Sequence, residues 1–286
     1  MSCPDCFSGH INPGTPQGHV TALHGLNVYV AEPSIPATEV KGIIVIIPDA
    51  FGWEFVNNRI LADHYAEMGK FRVYLPDFMH GTAAPVWSIN TIRSVMKTGS
   101  LYDWIVKPYH IANAIYGFVP FVFHNRAPKS HPIVKSFFES LRLSPSPPDK
   151  DLPIGAAGFC WGGKHTLLLS HSSSTTIASG VEKPLIDAGF TGHPSMLVFP
   201  EDIENIVRPV SFALGDSDMN VGAKEIAVIQ RVMEGKEELG GEVRVYVGAG
   251  HGFCVRADLA VEDSSRQAKE AEEQAVGFFK RCFENI

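Results

Sequence analysis

The chain has 286 residues, of which 45% are apolar and 19% charged, and its formal net charge is −7 at pH 7. This length allows one large α/β domain or two small ones, with a composition typical of a globular protein in water. The acidic balance argues against nucleic acid or an anionic membrane as the main partner, and we expect neither.

Strands and helices alternate along most of the sequence. Residues 1–22 are rich in Gly, Pro and His and predict a loop or surface arm, whereas the β-branched run at 41–47 predicts a strand buried on both faces. Strands are predicted at 26–31, 41–47, 71–75, 152–157, 210–214 and 243–247, and helices at 57–68, 164–169, 223–238 and 264–283. The alternation predicts a mainly parallel sheet with helices on both faces, in a single α/β domain spanning residues 1–286.

Residues 84–143 depart from this alternation. They show helical patterns, several prolines and many aromatic residues, but no convincing parallel strand. An insertion between two strands of a parallel sheet lies near the strand ends where ligands bind, which predicts a lid. A helical layer that only packs on the core is the alternative, and the sequence does not decide between them.

The segment Gly-Phe-Cys-Trp-Gly-Gly at 158–163 follows one predicted strand and precedes a helix. It matches the nucleophile elbow G-x-S-x-G with cysteine in place of serine. Small residues are needed beside such a nucleophile because the turn is tight. The pattern therefore predicts Cys160 as the nucleophile of a cysteine-dependent hydrolase, although a buried structural cysteine is the alternative.

Two loops further along the chain supply the partners that such a nucleophile needs. Gly-Asp-Ser-Asp at 215–218 follows one predicted strand, and a glycine-flanked His251 follows the next. The chain order nucleophile, acid, histidine is that of an elbow hydrolase. We predict Asp218 as the acid, with Asp216 as a competing choice that could instead form a turn.

The chemistry explains why these residue types are required. A thiol attacks well only as the thiolate, and an imidazole can take its proton and later return it to the leaving group. A carboxylate then fixes the imidazole tautomer. Backbone N–H groups stabilise the oxyanion, and we predict those of Trp161 and Ala50 for this role.

The elbow, the Gly-x-x-Asp loop, the Gly-His-Gly-Phe segment at 250–253 and the Asp-Ala-Phe-Gly segment at 49–52 together resemble the dienelactone hydrolase family of α/β-hydrolases. The Gly-His start, the Tyr-Val-Ala-Glu-Pro strand end and the Leu-Pro-Asp-Phe-Met segment resemble its fungal branch. The similarity extends over nearly the whole chain. It implies an α/β-hydrolase fold and a Cys160–Asp218–His251 triad that acts on enol-lactones or related esters without a metal.

The same resemblance implies roles for residues around the triad. The family places an acid after an early strand to hold the thiol or accept its proton, and Asp49 occupies that position. Bacterial members bind a substrate carboxylate through arginines, and Arg256 lies one residue beyond their spacing. Phe51 and Trp161 either line the pocket or belong to the core. His193, which follows another predicted strand, either faces the site or is a structural loop histidine.

The five cysteines are too few and too scattered for a disulfide framework, and residues 1–5 lack the features of a signal peptide, so we expect a cytoplasmic protein. Cys3 and Cys6 have metal or redox spacing, but no second pair follows nearby, and we expect no metal and no cofactor. The expected partner is a small lactone or ester, and the protein is expected to be a monomer or a homodimer.

Parts of the sequence also fit two other functions. Residues 158–165 differ by one position from a P-loop, because His165 stands where Ser or Thr would bind Mg²⁺. The aromatic insertion also fits an isomerase, a dehydratase or a non-catalytic binder of a bulky aromatic or polyketide-like ligand on the same fold.

Overall fold

The computed structural model describes residues 9–96, 101–144, 149, 151–172, 174–176, 180–284 and 286. The strands are β1 (His19–Leu23), β2 (Leu26–Ala31), β3 (Ile43–Ile47), β4 (Arg72–Pro76), β5 (Ile154–Phe159), β6 (Ser174–Thr176), β7 (Glu182–Pro184), β8 (Ala188–Gly192), β9 (Val210–Gly215) and β10 (Glu242–Tyr246). The helices are α1 (Val56–Gly69), α2 (Ser88–Met96), α3 (Leu101–His124), α4 (Ala127–Leu143), α5 (Trp161–Ser170), α6 (Glu201–Glu204), α7 (Ala223–Glu234) and α8 (Glu262–Phe283).

Eight strands form one sheet in the order β1-β2-β4-β3-β5-β8-β9-β10. The six strands from β4 to β10 in this order are parallel, and β1 and β2 extend the sheet antiparallel at one edge. All five residues of β3 are buried, as expected for a strand covered by helices on both faces. The predicted α/β class and the mainly parallel sheet are confirmed.

Aromatic residues of α8 pack against one face of the sheet. The predicted burial of this last helix through Phe278 and Phe279 is confirmed, since both are at most 1% exposed. Phe71, which precedes β4, meets the ring of Phe279 edge-on at 6.4 Å. Phe279 also lies close to Gly155 of β5, so the helix covers the middle of the sheet, where β3 and β5 lie side by side.

The structure differs from the prediction in two short regions. The segment expected to be a loop or arm ends in β1, whose pairing with β2 gives it a strand conformation although four of its five residues are exposed. Strands β6 and β7 pair in a small two-stranded ribbon that the sequence did not predict. Both elements are specified by pairing with a neighbouring strand, because their own sequences lack a clear apolar alternation.

The insertion consists of α2, α3 and α4, and no strand occurs in it within residues 84–96 and 101–143. Its inner surface joins the core through Phe121, Phe137 and Phe138, which are at most 3% exposed. Across the helices that the structure describes, none combines the length and apolar character needed to span a bilayer.

Candidate active site

Cys160 is the single residue between β5 and α5, and its backbone has φ 51° and ψ −112°. This conformation is unfavourable for a residue with a side chain and costs roughly 1–3 kcal/mol. A Cβ atom at Gly162 would overlap the carbonyl oxygen of Ile47, and one at Gly158 would overlap the carbonyl oxygen of Gly162. The turn therefore requires glycine on both sides, and it projects the sulfur from the strand end.

The structure brings Cys160, His251 and Asp218 into one line. His251 Nε2 lies 3.1 Å from Cys160 Sγ, and His251 Nδ1 lies 2.9 Å from Asp218 Oδ2. The three residues follow β5, β9 and β10, whose carboxyl ends meet at the same edge of the sheet. The arrangement can pass a proton between sulfur and imidazole while the carboxylate orients the ring.

The two aspartates of the 215–218 loop have different partners. Asp218 is buried and also accepts a hydrogen bond from the backbone N–H of Asn220 at 2.8 Å. Asp216 is exposed and accepts instead from the backbone N–H of Gly248 at 2.7 Å and from the Ser217 hydroxyl at 3.1 Å. Asp216 thus closes a turn, and Asp218 contacts the histidine.

The electrostatics favour a charged thiolate–imidazolium pair. Burial by itself would lower the pKa of His251, but the negative charge at Cys160 and the hydrogen bond to Asp218 outweigh it and raise this pKa to about 9. Burial would also raise the pKa of the Cys160 thiol, but the charge and hydrogen bond of His251 lower it below its ordinary value. Each group therefore favours the ionised form of the other.

A buried ion pair acts electrostatically on Cys160. Asp49 is 0% exposed, pairs with Arg256, and accepts hydrogen bonds from the Phe51 N–H at 3.2 Å and the Asn58 amide at 3.1 Å. The Arg256 guanidinium stacks over the Phe51 ring at 5.1 Å. Its positive charge lowers the pKa of Cys160, and the charge of Asp49 opposes this effect. Arg256 is thus held by a carboxylate of the protein itself.

Trp161 and Ala50, the residues predicted to supply oxyanion donors, lie on two connected segments of the chain. Trp161 is the first residue of α5, so its backbone N–H has no acceptor within the helix. The close contact of Gly162 with the carbonyl groups of Ile47 and Pro48 places the elbow against the loop that continues to Ala50. The two residues therefore lie at neighbouring strand ends, after β5 and β3.

The loop after β8 contributes Ser195, which the sequence did not predict, and His193, for which a place facing the site was one of two alternatives. The Ser195 hydroxyl lies 3.6 Å from Cys160 Sγ, and the Ser195 N–H donates to the Cys160 carbonyl at 3.0 Å. The buried His193 ring meets His251 edge-on at 5.0 Å, and burial followed by the charge of His251 holds its pKa well below the ordinary value. The predicted strand before His193 was a signal for its placement, whereas Ser195 carries no recognisable pattern.

The insertion touches the site at two points. The ring of Phe118 on α3 packs edge-on against Phe51 at 6.1 Å. The Trp161 indole donates to the carbonyl of Asn125, which follows α3, at 2.7 Å. The insertion is therefore packed on the core and also adjacent to the candidate active site.

The remaining sequence motifs, where the structure describes them, do not add groups to the candidate active site. Lys164, the lysine of the P-loop-like segment, is buried and bonded to Asp202 at 2.6 Å, which leaves it no role in holding phosphates. Cys3 and Cys6 lie outside the described residues. Among the residues that are described, no three His, Cys, Asp or Glu side chains are grouped to bind a metal ion. A cleft of about 800 Å³ between α1 and α8 includes neither Cys160 nor His251.

Comparison with known proteins places these features in context. A model of the Dienelactone hydrolase family matches residues 26–283. The hydrolase tropI of Talaromyces stipitatus is 27% identical over 284 residues, which cover 98% of this chain and 95% of the relative. The carboxymethylenebutenolidase homolog of Mus musculus is 23% identical over 254 residues, covering 89% of this chain and 86% of the relative.

A solved structure shares the fold. The thermophilic esterase of Thermogutta terrifontis with propionate bound aligns with a TM-score of 0.57 and 16% identity, covering 93% of this chain and 96% of that chain.

Proposed function

Because the chain belongs to the dienelactone hydrolase family and is a hydrolase of ester or lactone bonds, we propose that it opens an enol-lactone or a related ester through a thioester on Cys160. Cys160 is the nucleophile, His251 the acid–base catalyst and Asp218 the carboxylate that orients it. The observation that carries this proposal is the unbroken line of contacts from sulfur to imidazole at 3.1 Å and from imidazole to carboxylate at 2.9 Å.

The first step forms the thioester. The thiolate of Cys160 attacks the carbonyl carbon, and the electron pair of the C=O bond moves to oxygen, where the N–H groups of Trp161 and Ala50 stabilise the charge. When the carbonyl re-forms, the C–O bond to the leaving group breaks. The departing oxygen takes the proton from His251 Nε2, which the raised pKa of this residue keeps in place near neutral pH.

The second step releases the acid. A water molecule gives a proton to the now neutral His251 and attacks the thioester carbon. The C–S bond breaks, and the sulfur leaves as the thiolate, which the imidazolium and the Ser195 hydroxyl stabilise. The buried charge of Arg256 also favours this thiolate. The site thereby returns to its starting ionisation without any cofactor in the proposed cycle.

The direct test is intact-protein mass spectrometry during reaction with a panel of enol-lactones and aryl esters. We expect an added mass equal to the acyl group on Cys160, with release of the ring-opened or deacylated product. In His251→Ala the acyl adduct should persist if it forms, because no base activates the water. Binding of a panel compound with neither adduct nor product would instead favour the non-catalytic binder, and an isomerised or dehydrated product without an adduct would favour the other chemistry on this fold.

The ionisation of Cys160 gives a prediction that needs no substrate. Iodoacetamide at pH 7 should label Cys160 at least about tenfold faster than Cys282, because only the thiolate reacts. Burial raises the pKa of Cys282 to about 11, whereas the pKa of Cys160 is lowered, and both side chains are partly exposed. Peptide mass spectrometry after timed labelling measures both rates in the same sample.

Variants separate the causes of this reactivity. His251→Gln should move the labelling midpoint of Cys160 to higher pH, since burial then acts without the opposing charge. Ser195→Ala should move it by a smaller step in the same direction.

Turnover of the wild type should also fall as His251 loses its proton near pH 9. Equal labelling of the two cysteines at pH 7 would contradict the proposed ion pair.

A further inference from the structure

Helix α3 exposes a broad apolar surface to solvent. Four aromatic residues distributed along it are strongly exposed: Trp104 at 64%, Tyr109 at 68%, Tyr116 at 75% and Phe123 at 56%. The aliphatic residues Ile105 and Ile115 between them are 69% and 56% exposed. Residues 104–123 extend about 28 Å at the rise of an α-helix. Large apolar patches of this kind mark interaction surfaces in folded proteins.

The charges around this surface differ from those of the rest of the molecule. Residues 78–138 contain six of the 24 lysines and arginines of the chain but only one of its 31 acids, Asp103. The acidic net charge therefore belongs to the remainder of the protein. The net charge of the whole chain argued against an anionic membrane, but it is a sum that includes this positively charged apolar segment.

The cations stand beside the exposed aromatic rings at both ends of α3. Lys107 lies 5.1 Å from the centre of the Trp104 ring, and Lys129 lies 4.9 Å from that of Phe123. Arg126 lies 5.7 Å from the same Phe123 ring. Aromatic rings flanked by lysine and arginine are typical of helices that lie in the headgroup region of a bilayer.

We propose that α3 docks this protein on an anionic lipid surface, with the helix parallel to the membrane plane. The apolar face enters the interface, and Lys107, Arg126 and Lys129 contact the lipid phosphates. A second copy of the chain fits the same face less well, because a twofold contact would bring these cations together with few acids to offset them. Helix α3 is also connected to the proposed catalytic site, because Phe118 on α3 packs against Phe51.

Vesicle sedimentation tests this proposal. Full-length protein should pellet with vesicles of phosphatidylcholine containing about 30% phosphatidylserine, bind pure phosphatidylcholine more weakly, and lose anionic binding as salt rises. Lys107→Gln and Lys129→Gln should each lower the partition coefficient about fivefold. The double variant Tyr109→Ser, Tyr116→Ser should lower it at least about tenfold on both vesicle types.

Matched controls lie outside the segment. Lys269→Gln on α8, whose side chain is 77% exposed, and Val247→Ser, where Val247 is 78% exposed, should leave binding unchanged. Thermal unfolding verifies that each variant is folded, and Cys160→Ala should bind vesicles like the wild type, which separates this proposal from the catalytic one. Absence of vesicle binding, or equal binding to neutral and anionic vesicles, would overturn it. A dimer in sedimentation velocity that the Tyr109→Ser, Tyr116→Ser variant abolishes would assign the face to a second copy.

Discussion

Replacing Cys160 with alanine is expected to lower turnover of an enol-lactone or aryl ester by about 10⁴-fold or more. The sulfur is the only protein atom that forms a covalent bond to a carbon of the substrate in the proposed mechanism, so the remaining groups cannot compensate for its loss. His251 and Asp218 would still contact each other, and the oxyanion donors are backbone groups that the substitution does not remove. Any residual rate would reflect binding and charge stabilisation alone.

The fold should survive this substitution. Alanine meets the same backbone strain at φ 51° as cysteine does, and the side chain of Cys160 is only partly buried. Cys282→Ala is the matched control, because Cys282 is also partly buried but lies on α8, away from the elbow. Initial rates and thermal unfolding of the three proteins should be measured together. Wild-type turnover in folded Cys160→Ala would refute a cysteine-dependent mechanism.

Gly162→Ala is expected to destabilise the protein by more than about 3 kcal/mol, or to prevent its accumulation in folded form. A Cβ atom at this position would overlap the carbonyl oxygen of Ile47 and lie 2.9 Å from that of Pro48. Both obstacles are backbone atoms at the end of the central strand β3, so neither can rotate away as a side chain would. The elbow would have to shift from the sheet, moving the sulfur out of line with His251.

The control is another glycine within a helix. At Gly277 on α8, a Cβ atom would lie 3.5 Å from the end of the flexible Arg281 side chain, so Gly277→Ala should stabilise the protein by up to about 1 kcal/mol. Helix propensity favours alanine at both positions. If the free energy of unfolding rises in Gly277→Ala and falls in Gly162→Ala, the loss at Gly162 is therefore caused by the steric overlap. Urea unfolding measures both changes. If Gly162→Ala matches the wild type in stability and turnover, the contact with β3 is less rigid than the structure indicates.

The parts of the fold that could be predicted are those with a strong local signal. The apolar run of β3 and the strand-turn-helix around Cys160 are visible within a few residues of sequence. Strand β8 has a weaker signal, since Ala-Gly-Phe-Thr-Gly contains little that favours a strand by itself, and pairing with β5 and β9 fixes it. The edge strand β1 likewise depends on its partner.

The chain order of nucleophile, acid and histidine predicted which residues would meet, because parallel strands bring their carboxyl ends to one edge. Contacts made by tertiary packing alone gave no such signal, even where the resemblance had implied that the residues lie around the triad. Asp49 and Arg256 are 207 positions apart and form a buried pair only after β3 and the loop beyond β10 are assembled. Ser195 reaches the sulfur because its loop is bonded to the Cys160 carbonyl, a contact that no motif encodes.

Two hydrogen bonds connect the helical insertion to the residues proposed to stabilise the oxyanion. The Ala84 N–H donates to the Ala50 carbonyl at 2.8 Å, and the Trp161 indole donates to Asn125 at 2.7 Å. The two residues whose backbone N–H groups are proposed to stabilise the oxyanion are thus each hydrogen-bonded to one end of residues 84–125, Ala50 through its carbonyl and Trp161 through its indole. A rearrangement of that segment must either break these two hydrogen bonds or move Ala50 and Trp161 with it. Substitutions within the segment, although far from the sulfur, should therefore change kcat before they change substrate affinity.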